Sequence, residues 1–403
     1  MALEPLRFIH ASDFHLERVP DGLSEVPDHL RELLAGAAYQ AATRVFDIAL
    51  AERVDFVVLS GDLFHPVMAG PRALVFLAEQ FQRLADQDIA VYWATGRAER
   101  VRRWPEGFSW PRNVHLFSSP VVEERLHRKE GCGTLRIVGR GYDQRPLRSA
   151  EVEPSPENQL TLGVAYRKPT SAALAKAKFQ YWAVGGAHNR QIPSGQLHPV
   201  HCAGSPQGRN PAESGPHGCT LVTLAPDGRL TTSLLPTDVV RWHRERVSID
   251  EILDRASLER RLCERTEALV QEAQGVKLLL QWDLAGTGSL LTQLRRGTLG
   301  SELTSRLRSQ YGFGDRAAWT VSVQAESSAI LPAELVEQKT FLGDFLRAVR
   351  RRQAEEGGGV DLPAGVSVYP QLVAADDGAV RQRVWSKVAL LGVDLLVGED
   401  PQA

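Results

Sequence analysis

The sequence lacks the features that mark several broad classes of protein. No apolar run approaches the roughly 18 residues that a membrane-spanning helix requires, and the opening MALEPLRF leads into a strand pattern without a signal peptide. The 47 basic residues are balanced by 49 acidic ones, so no global positive field favours nucleic acid, and any such contact has to use a local patch. We therefore expect a globular cytoplasmic protein with no membrane partner.

Cysteine is sparse and widely spaced. The four cysteines, Cys132, Cys202, Cys219 and Cys263, form no CxxC pair, which argues against a zinc knuckle and against a disulfide framework. The sequence also contains no GxSxG and no GxxxxGK[ST] motif, which argues against a serine hydrolase and a P-loop enzyme. We expect reduced thiols, and a chemistry that uses other side chains.

Strand and helix patterns alternate at the start of the chain. The apolar runs at residues 6–10, 55–60 and 89–95 are typical of buried strands, and the stretches 29–53 and 71–86 are typical of helices. Further along, short strand patterns dominate until a hairpin closed by a Pro-Asp-Gly turn. This order predicts an α/β fold in which a two-sheet β-sandwich is flanked by helices.

The composition changes at Pro236. We predict a first domain at residues 1–240, followed by an Arg-rich α+β accessory domain at residues 241–353. Residues 354–403 are predicted to be a linker and a C-terminal helix, because the EEGGG stretch at 355–359 is typical of a flexible joint.

Two apolar runs, FIHASDFHL and FVVLSGDLFH, end in acidic and imidazole side chains. Asp13 and His15 follow the first run, and Asp62 follows the second. Because parallel strands present their carboxyl ends at one edge of a sheet, these side chains are expected to lie close together. Carboxylate and imidazole groups on a rigid frame suit a divalent cation that must bind phosphate oxygens. Each motif alone is typical of a turn, but the pair favours a metal-phosphate site.

Four stretches carry a family resemblance: FIHASDFHL, LSGDLFH, YWAVGGAHNR and AGSPQGRNPAESGPHGCTLV. They resemble the SbcD-type DNA repair exonucleases, and in particular their YhaO-like bacterial relatives, within the calcineurin-like metallophosphoesterase superfamily. The similarity covers residues 6–245. It implies a metallophosphoesterase fold with two manganese-type ions, cleavage of phosphodiesters at DNA ends, and an SMC/Rad-type coiled-coil ATPase partner. A homodimer is a further arrangement that we leave open.

The resemblance implies a complete first metal position. Its ligands are the Asp and His of the first motif, the bridging Asp of the second, and the last His of a GHxH motif, which are here Asp13, His15, Asp62 and His188. His65 matches the GDLFH form found in the nucleases, and the resemblance implies a catalytic role for it.

The second metal position departs from the family pattern. The family's Asn and leaving-group His correspond here to Arg97 and Ala98 in GRAE, a strand-end His corresponds to Tyr166, and the first His of GHxH corresponds to Gly186. Because a two-metal clamp stabilises both the attacking and the leaving oxygen, the loss of one ion is expected to slow turnover. We predict one divalent metal, manganese, and an empty second position.

Three residues beside this site have open roles. Arg97 either takes over part of the charge of the missing ion as a catalytic and phosphate-binding group, or points to solvent. Tyr166 is either a phenolic ligand or hydrogen-bond donor for the substrate site, or it fills space. Arg209 either contacts substrate or holds its own loop. Two functions follow: a weakened metal-dependent phosphodiesterase, or an inactive member that binds DNA, a nucleotide or the ATPase as a scaffold. His10 is predicted to be a hydrogen-bonded core residue.

Overall fold

The computed structural model describes most of the chain in two compact units. The first unit comprises Met1–His243 with Ala273–Leu279, and the second comprises Arg244–Glu272 with Leu280–Ala403. The predicted joint at 355–359 and most of the C-terminal helix lie outside the described residues, and the predicted domain limits stay predictions. The described residues are 4–23, 25–99, 104–105, 108–118, 120–129, 133–157, 159–192, 200–249, 252, 254–286, 289–296, 298–326, 336–354, 384–386, 388–389 and 392–393.

The first unit is built on short strands, most of which coincide with the apolar runs of the sequence. The strands are β1 (Leu6–Ala11), β2 (Phe56–Leu59), β3 (Ala90–Ala94), β4 (Val114–Phe117), β5 (Glu123–Lys129), β6 (Gly133–Arg140), β7 (Thr161–Ala165), β8 (Tyr181–Val184), β9 (Val200–Cys202), β10 (Gly218–Leu224) and β11 (Leu230–Pro236). The helices are α1 (Asp28–Ala51), α2 (Pro66–Ala85) and α3 (Ser171–Ala177).

The strands form two sheets. One has the order β11-β10-β1-β2-β3-β4, and the other has the order β5-β6-β7-β8-β9. β1 to β4 run parallel, and β10 pairs antiparallel with β1. α1 connects β1 to β2 and α2 connects β2 to β3, and such crossover helices are the usual connection between parallel strands. The predicted two-sheet sandwich flanked by helices is therefore confirmed.

One hydrophobic core lies between the sheets and others lie under the helices. Phe8 and Phe56 stack with their ring centroids 4.8 Å apart, and they share a buried cluster with Ile137, Val164 and Tyr181 from the second sheet. A separate cluster packs α1 and α2 against the outer face of the first sheet. With apolar contacts on both faces, β1 and β2 are a rigid frame for the polar residues that follow them.

The sequence analysis missed β5. Its sequence, EERLHRK, pairs antiparallel with β6, and its side chains alternate between intermediate and exposed. β5 is an edge strand, and charged side chains on an edge strand prevent pairing with other chains. Those charges hide the apolar signal on which a strand prediction depends.

Helix α2 begins earlier than predicted, at Pro66 rather than at residue 71. The imidazole of His65 caps it by accepting a hydrogen bond from the Met68 amide, and proline suits the first turn of a helix. Gly70 interrupts the helix with φ 64° and ψ −167°, a conformation that only glycine adopts readily. The helical pattern in the sequence therefore emerges only after this break.

The second unit is α+β, as predicted. A three-stranded sheet has the order β12-β13-β14, and the chain passes into this unit within β12. None of the described helices is both long and apolar enough to cross a membrane. The elements are β12 (Val240–Ser248), α4 (Arg255–Glu272), β13 (Lys277–Ala285), α5 (Ser289–Arg296), α6 (Thr298–Tyr311), β14 (Ala318–Ala325) and α7 (Phe341–Ala354).

His10 lies on β1 inside the sandwich and is fully buried. Its Nδ1 is 2.8 Å from the Tyr181 hydroxyl, and its Nε2 is 2.8 Å from Ser60 Oγ. The prediction of a hydrogen-bonded core histidine is confirmed. Burial lowers the pKa of His10 to about 3, and the nearby His201 and Arg190 add to the shift.

Acid is therefore expected to destabilise the protein through His10. The unfolded chain binds a proton at this residue near pH 6.5, whereas the folded protein resists protonation to about pH 3. The neutral, buried His10 therefore contributes fully to the free energy of unfolding above pH 6.5. This contribution is lost as the pH falls from 6.5 toward 3, at about 1.4 kcal/mol per pH unit. Between about pH 7 and about pH 5, wild type should lose about 2 kcal/mol more than His10→Gln in urea unfolding. Equal losses in the two proteins would contradict this cause.

Candidate metal centre

The loops after β1 and β2 run side by side in an uncommon backbone conformation. Asp13, His15 and Asp62 all have positive φ, at 55°, 46° and 52°. The Asp13 amide donates to the Gly61 carbonyl at 2.9 Å, and the His15 amide donates to the Asp62 carbonyl at 3.1 Å. Residues other than glycine rarely adopt this region, and such residues cluster at functional sites. The conformation turns the three side chains toward one edge of the sheet.

The structure brings together the four residues of the predicted first metal position. Asp13, His15 and His188 each offer one possible ligand atom, and these three atoms lie within 4.8 Å of one another. His15 Nε2 is 3.8 Å from Asp62 Oδ2. Asp13, His15 and Asp62 are 0%, 6% and 4% exposed, whereas the His188 side chain is 37% exposed. Three of the four residues are thus buried, and His188 is the one that solvent reaches.

These residues fit a divalent ion. His15 Nε2 is buried and has no hydrogen-bond partner among the described residues, an arrangement that is unfavourable without a ligand. Burial raises the pKa of Asp13 to about 7, and the nearby carboxylate of Asp62 adds to the shift. A cation beside these groups would satisfy the bare imidazole nitrogen and offset the repulsion between the two carboxyl groups.

Each of the two imidazoles is hydrogen-bonded through Nδ1 to a glutamate carboxylate. His15 Nδ1 is 3.3 Å from Glu17 Oε1, and His188 Nδ1 is 2.8 Å from Glu213 Oε1. Burial would raise the pKa of Glu213, but hydrogen bonds from His188 and Arg209 lower it to about 2. Neither glutamate was predicted from the sequence, although Glu17 lies two residues after His15 and Glu213 lies inside the SPQGRNPAE stretch.

The residues at the second metal position do not fit an ion. The Tyr166 hydroxyl donates to Asp62 Oδ2 at 2.7 Å, and the Ala98 amide donates to Asp62 Oδ1 at 2.6 Å. Both carboxylate oxygens of Asp62 therefore have neutral donors. The Tyr166 ring lies over Gly186, where a Cβ would come within 3.2 Å of the ring. Burial and then Asp62 raise the pKa of Tyr166, so Tyr166 keeps its hydrogen and donates to Asp62, and its predicted contact with substrate stays a prediction.

Glu99 joins the loop after β3 to the loop after β2. Its carboxyl group accepts hydrogen bonds from the backbone amides of Gly96 at 2.6 Å, Asp62 at 3.0 Å and Phe64 at 3.4 Å, and also from Leu63. Burial raises the pKa of Glu99 to about 8, with Asp62 adding to the shift. Glu99 is the last residue of the GRAE stretch, and its role in joining the two loops was not predicted from the sequence.

The other predicted site residues lie at the margin of the cluster. His65 caps α2, and its amide donates to Glu17 Oε2 at 2.9 Å. Arg97 is exposed and has no hydrogen-bond or ion-pair partner in the described part of the chain. Arg209 is 4% exposed and donates to Glu213 through Nη2 at 3.0 Å and Nε at 3.3 Å. These contacts favour the loop-holding alternative for Arg209.

The tryptophans after β3 have a structural role, and the described cysteines are unpaired. Trp104 and Trp110 pack against the buried cluster that contains residues of α1 and α2, so they cap that core. Cys202, Cys219 and Cys263 are free thiols, as expected, and Cys132 lies outside the described residues.

Comparisons with known proteins agree with these observations. Residues 6–158 match the family model of the calcineurin-like phosphoesterases. Over 365 residues, 87% of this chain and 88% of the relative, the sequence is 28% identical to the uncharacterised metallophosphoesterase YhaO of Bacillus subtilis.

Solved structures are similar at lower identity. A dimetal phosphatase from Danio rerio is 12% identical over 58% of this chain and 97% of its own, with a TM-score of 0.39. The nuclease MPE of Pseudomonas putida is 14% identical over 55% of this chain and 85% of its own, with a TM-score of 0.23. Residues 6–158 are thus similar to the calcineurin-like phosphoesterases, and the similarity to YhaO extends over most of the chain.

Proposed function

We propose that this protein is a metal-dependent phosphodiesterase that holds one divalent ion, manganese, and acts slowly on DNA ends. The observation that carries this proposal is the buried cluster of Asp13, His15 and His188, in which His15 Nε2 has no partner among the described residues. Asp62 completes the ligand set. When bound, a divalent ion supplies Lewis-acid polarisation of a phosphate ester.

Two residues at the margin would act on the substrate. Arg97 is exposed and unpaired within the described residues, so its guanidinium is available to bind a phosphate in a bidentate manner. His65 Nδ1 accepts a hydrogen bond from the Met68 amide at 3.3 Å, and a neutral His65 therefore carries its proton on Nε2. We propose that this Nε2–H donates toward the leaving oxygen in place of the histidine that Ala98 replaces.

The second position supports a reduced rate. The Tyr166 hydroxyl and the Ala98 amide each donate to one oxygen of Asp62. Each oxygen keeps a lone pair, so Asp62 can still bind the first ion, whereas a second ion would have to compete with these two donors. The same contacts favour a second candidate function, in which the protein is catalytically inactive and binds DNA or a nucleotide as a scaffold. In either case we propose an SMC/Rad-type coiled-coil ATPase as partner, a cytoplasmic location and a second unit that contacts DNA, on the basis of the family resemblance.

Turnover of a nitrophenyl phosphodiester and of end-labelled DNA with Mn²⁺ tests the proposal. Wild type should exceed the metal-free reaction at least about tenfold, and Asp62→Asn, which keeps the backbone contacts of the loop, should abolish that gain. Magnesium, cobalt and zinc serve as parallel arms. If wild type binds one ion but both proteins are equally inactive with every metal, the result would favour the second candidate function, the inactive scaffold. The absence of stoichiometric metal would contradict both the enzyme and its proposed site.

A further inference from the structure

We propose, on the basis of the metal site proposed above, that Glu213 and Glu17 are positioning residues that fix the tautomers of His188 and His15. Each carboxylate holds a hydrogen on Nδ1, so that both Nε2 atoms present a lone pair to the same ion. A metal binds only an unprotonated ring nitrogen, and the hydrogen bond to the other nitrogen decides which one is free.

Two neighbours compete for His188 Nδ1. Glu213 Oε1 lies 2.8 Å away and is an acceptor, whereas Arg209 Nη2 lies 2.6 Å away and is a donor. If Arg209 donated to Nδ1, the hydrogen of the neutral ring would lie on Nε2, and His188 would be unable to bind a metal. Arg209 Nη2 has an alternative acceptor, because Glu213 Oε1 is 3.0 Å from it. Glu213 Oε1 carries no hydrogen as a carboxylate, so Nδ1 supplies one.

Arg209 holds Glu213 in this position. Its amide donates to Glu213 Oε2 at 2.9 Å, and its guanidinium reaches both oxygens of the same carboxylate. The side chains of the pair are 5% and 6% exposed, so water competes little with these bonds. The loop that contains the QGR sequence thereby sets the orientation of a ligand that follows β8.

Glu17 plays the corresponding part for His15. Its Oε1 is 3.3 Å from His15 Nδ1, and its Oε2 accepts from the His65 amide at 2.9 Å. The Nε2 of His15, on the opposite side of the ring, is the buried nitrogen that lacks a partner among the described residues. The two imidazoles are nearly perpendicular, with ring centroids 5.3 Å apart. Two acidic residues from different loops therefore back the two imidazoles of one site.

Calorimetric titration with Mn²⁺ tests this role. Glu213→Gln should weaken Mn²⁺ binding about 10- to 100-fold, because outer partners of ligating histidines have effects of this size. Glu124→Gln is the matched control, because Glu124 also pairs with a buried arginine, Arg136, but lies on the edge strand β5. The Glu124→Gln variant should bind Mn²⁺ as tightly as wild type. An affinity of Glu213→Gln equal to that of wild type would overturn the assignment.

The ring nitrogens themselves provide a readout that a purely structural role would not change. Nitrogen-15 NMR of the metal-free protein should show His188 as the tautomer with hydrogen on Nδ1, and Glu213→Gln should convert it to a mixture or to the other tautomer. His188 with hydrogen on Nε2 in wild type overturns the inference. The spectrum requires neither bound metal nor activity. It therefore tests the positioning role separately from the proposed function.

Arg209→Lys is a second variant in case Glu213→Gln does not fold. Lysine keeps the positive charge but cannot span both carboxylate oxygens, so the Mn²⁺ affinity should fall by a smaller factor than in Glu213→Gln. Thermal unfolding of the metal-free variants accompanies each titration. A loss of affinity matched by an equal loss of metal-free stability would show that the pair only supports the loop, and would overturn the positioning role.

Discussion

Replacing Glu99 by alanine is expected to destabilise the folded protein by about 3 to 5 kcal/mol. The Glu99 carboxyl group is the shared acceptor of backbone amides from two loops, including those of Asp62 and Gly96. Alanine would leave these buried donors without a partner, and each unsatisfied buried donor costs about 1 to 3 kcal/mol. Water cannot replace the carboxyl group readily, because Gly96 and Asp62 are packed so closely that a Cβ on Gly96 would lie 2.3 Å from the Asp62 amide nitrogen.

Urea unfolding of metal-free protein measures this effect. Glu151→Ala is the control, because Glu151 also accepts from a backbone amide, that of Arg148, but at a half-buried position, and its loss should be about 1 kcal/mol or less. Glu99→Gln should lie between wild type and Glu99→Ala, since its amide oxygen can accept from some of the donors while its NH₂ group faces others. A loss below about 1 kcal/mol in Glu99→Ala would show that Glu99 does not hold the two loops together.

Replacing His15 by alanine is expected to weaken Mn²⁺ binding at least about 100-fold, because a ligand of the ion is removed rather than a residue that supports one. His15 is the best-buried imidazole of the cluster, and its Nε2 has no partner in the described part of the chain. The metal-free protein should change much less. Among the described residues, the His15 side chain makes one long hydrogen bond, to Glu17 at 3.3 Å, so its removal should cost about 1 kcal/mol.

The contrast between metal affinity and metal-free stability is the diagnostic result for His15. His29→Ala serves as the control, because His29 is an exposed residue at the start of α1 and should leave the affinity unchanged. Manganese titration followed by calorimetry or by electron paramagnetic resonance provides the measurement. An unchanged affinity in His15→Ala would place the ion elsewhere. A large loss of metal-free stability would mean that His15 is a core residue rather than a ligand.

Much of the fold was predictable because the strands are continuous apolar runs. β2 reads FVVL and is buried on both faces, and a strand of this kind is recognisable without knowledge of its partners. The proximity of Asp13 and Asp62 was predictable for the same reason, because each follows such a strand within three residues, whereas the ion itself stays a prediction. β5 was missed because the charges of an edge strand hide its alternation.

The sequence by itself determined which chemical groups stand at the strand ends: carboxylates, imidazoles and, at the altered position, Tyr166 and Arg97. Only the tertiary structure decided which atoms these groups contact. Tyr166 meets Asp62 across 104 residues of chain, and Glu213 meets His188 across 25. Sequence patterns report periodicity and residue type over a few neighbours, whereas a hydrogen bond depends on distance and direction within a few tenths of an ångström. Those distances follow from the left-handed turns after β1 and β2 and from the packing of the sheets, and neither can be read from the neighbouring residues.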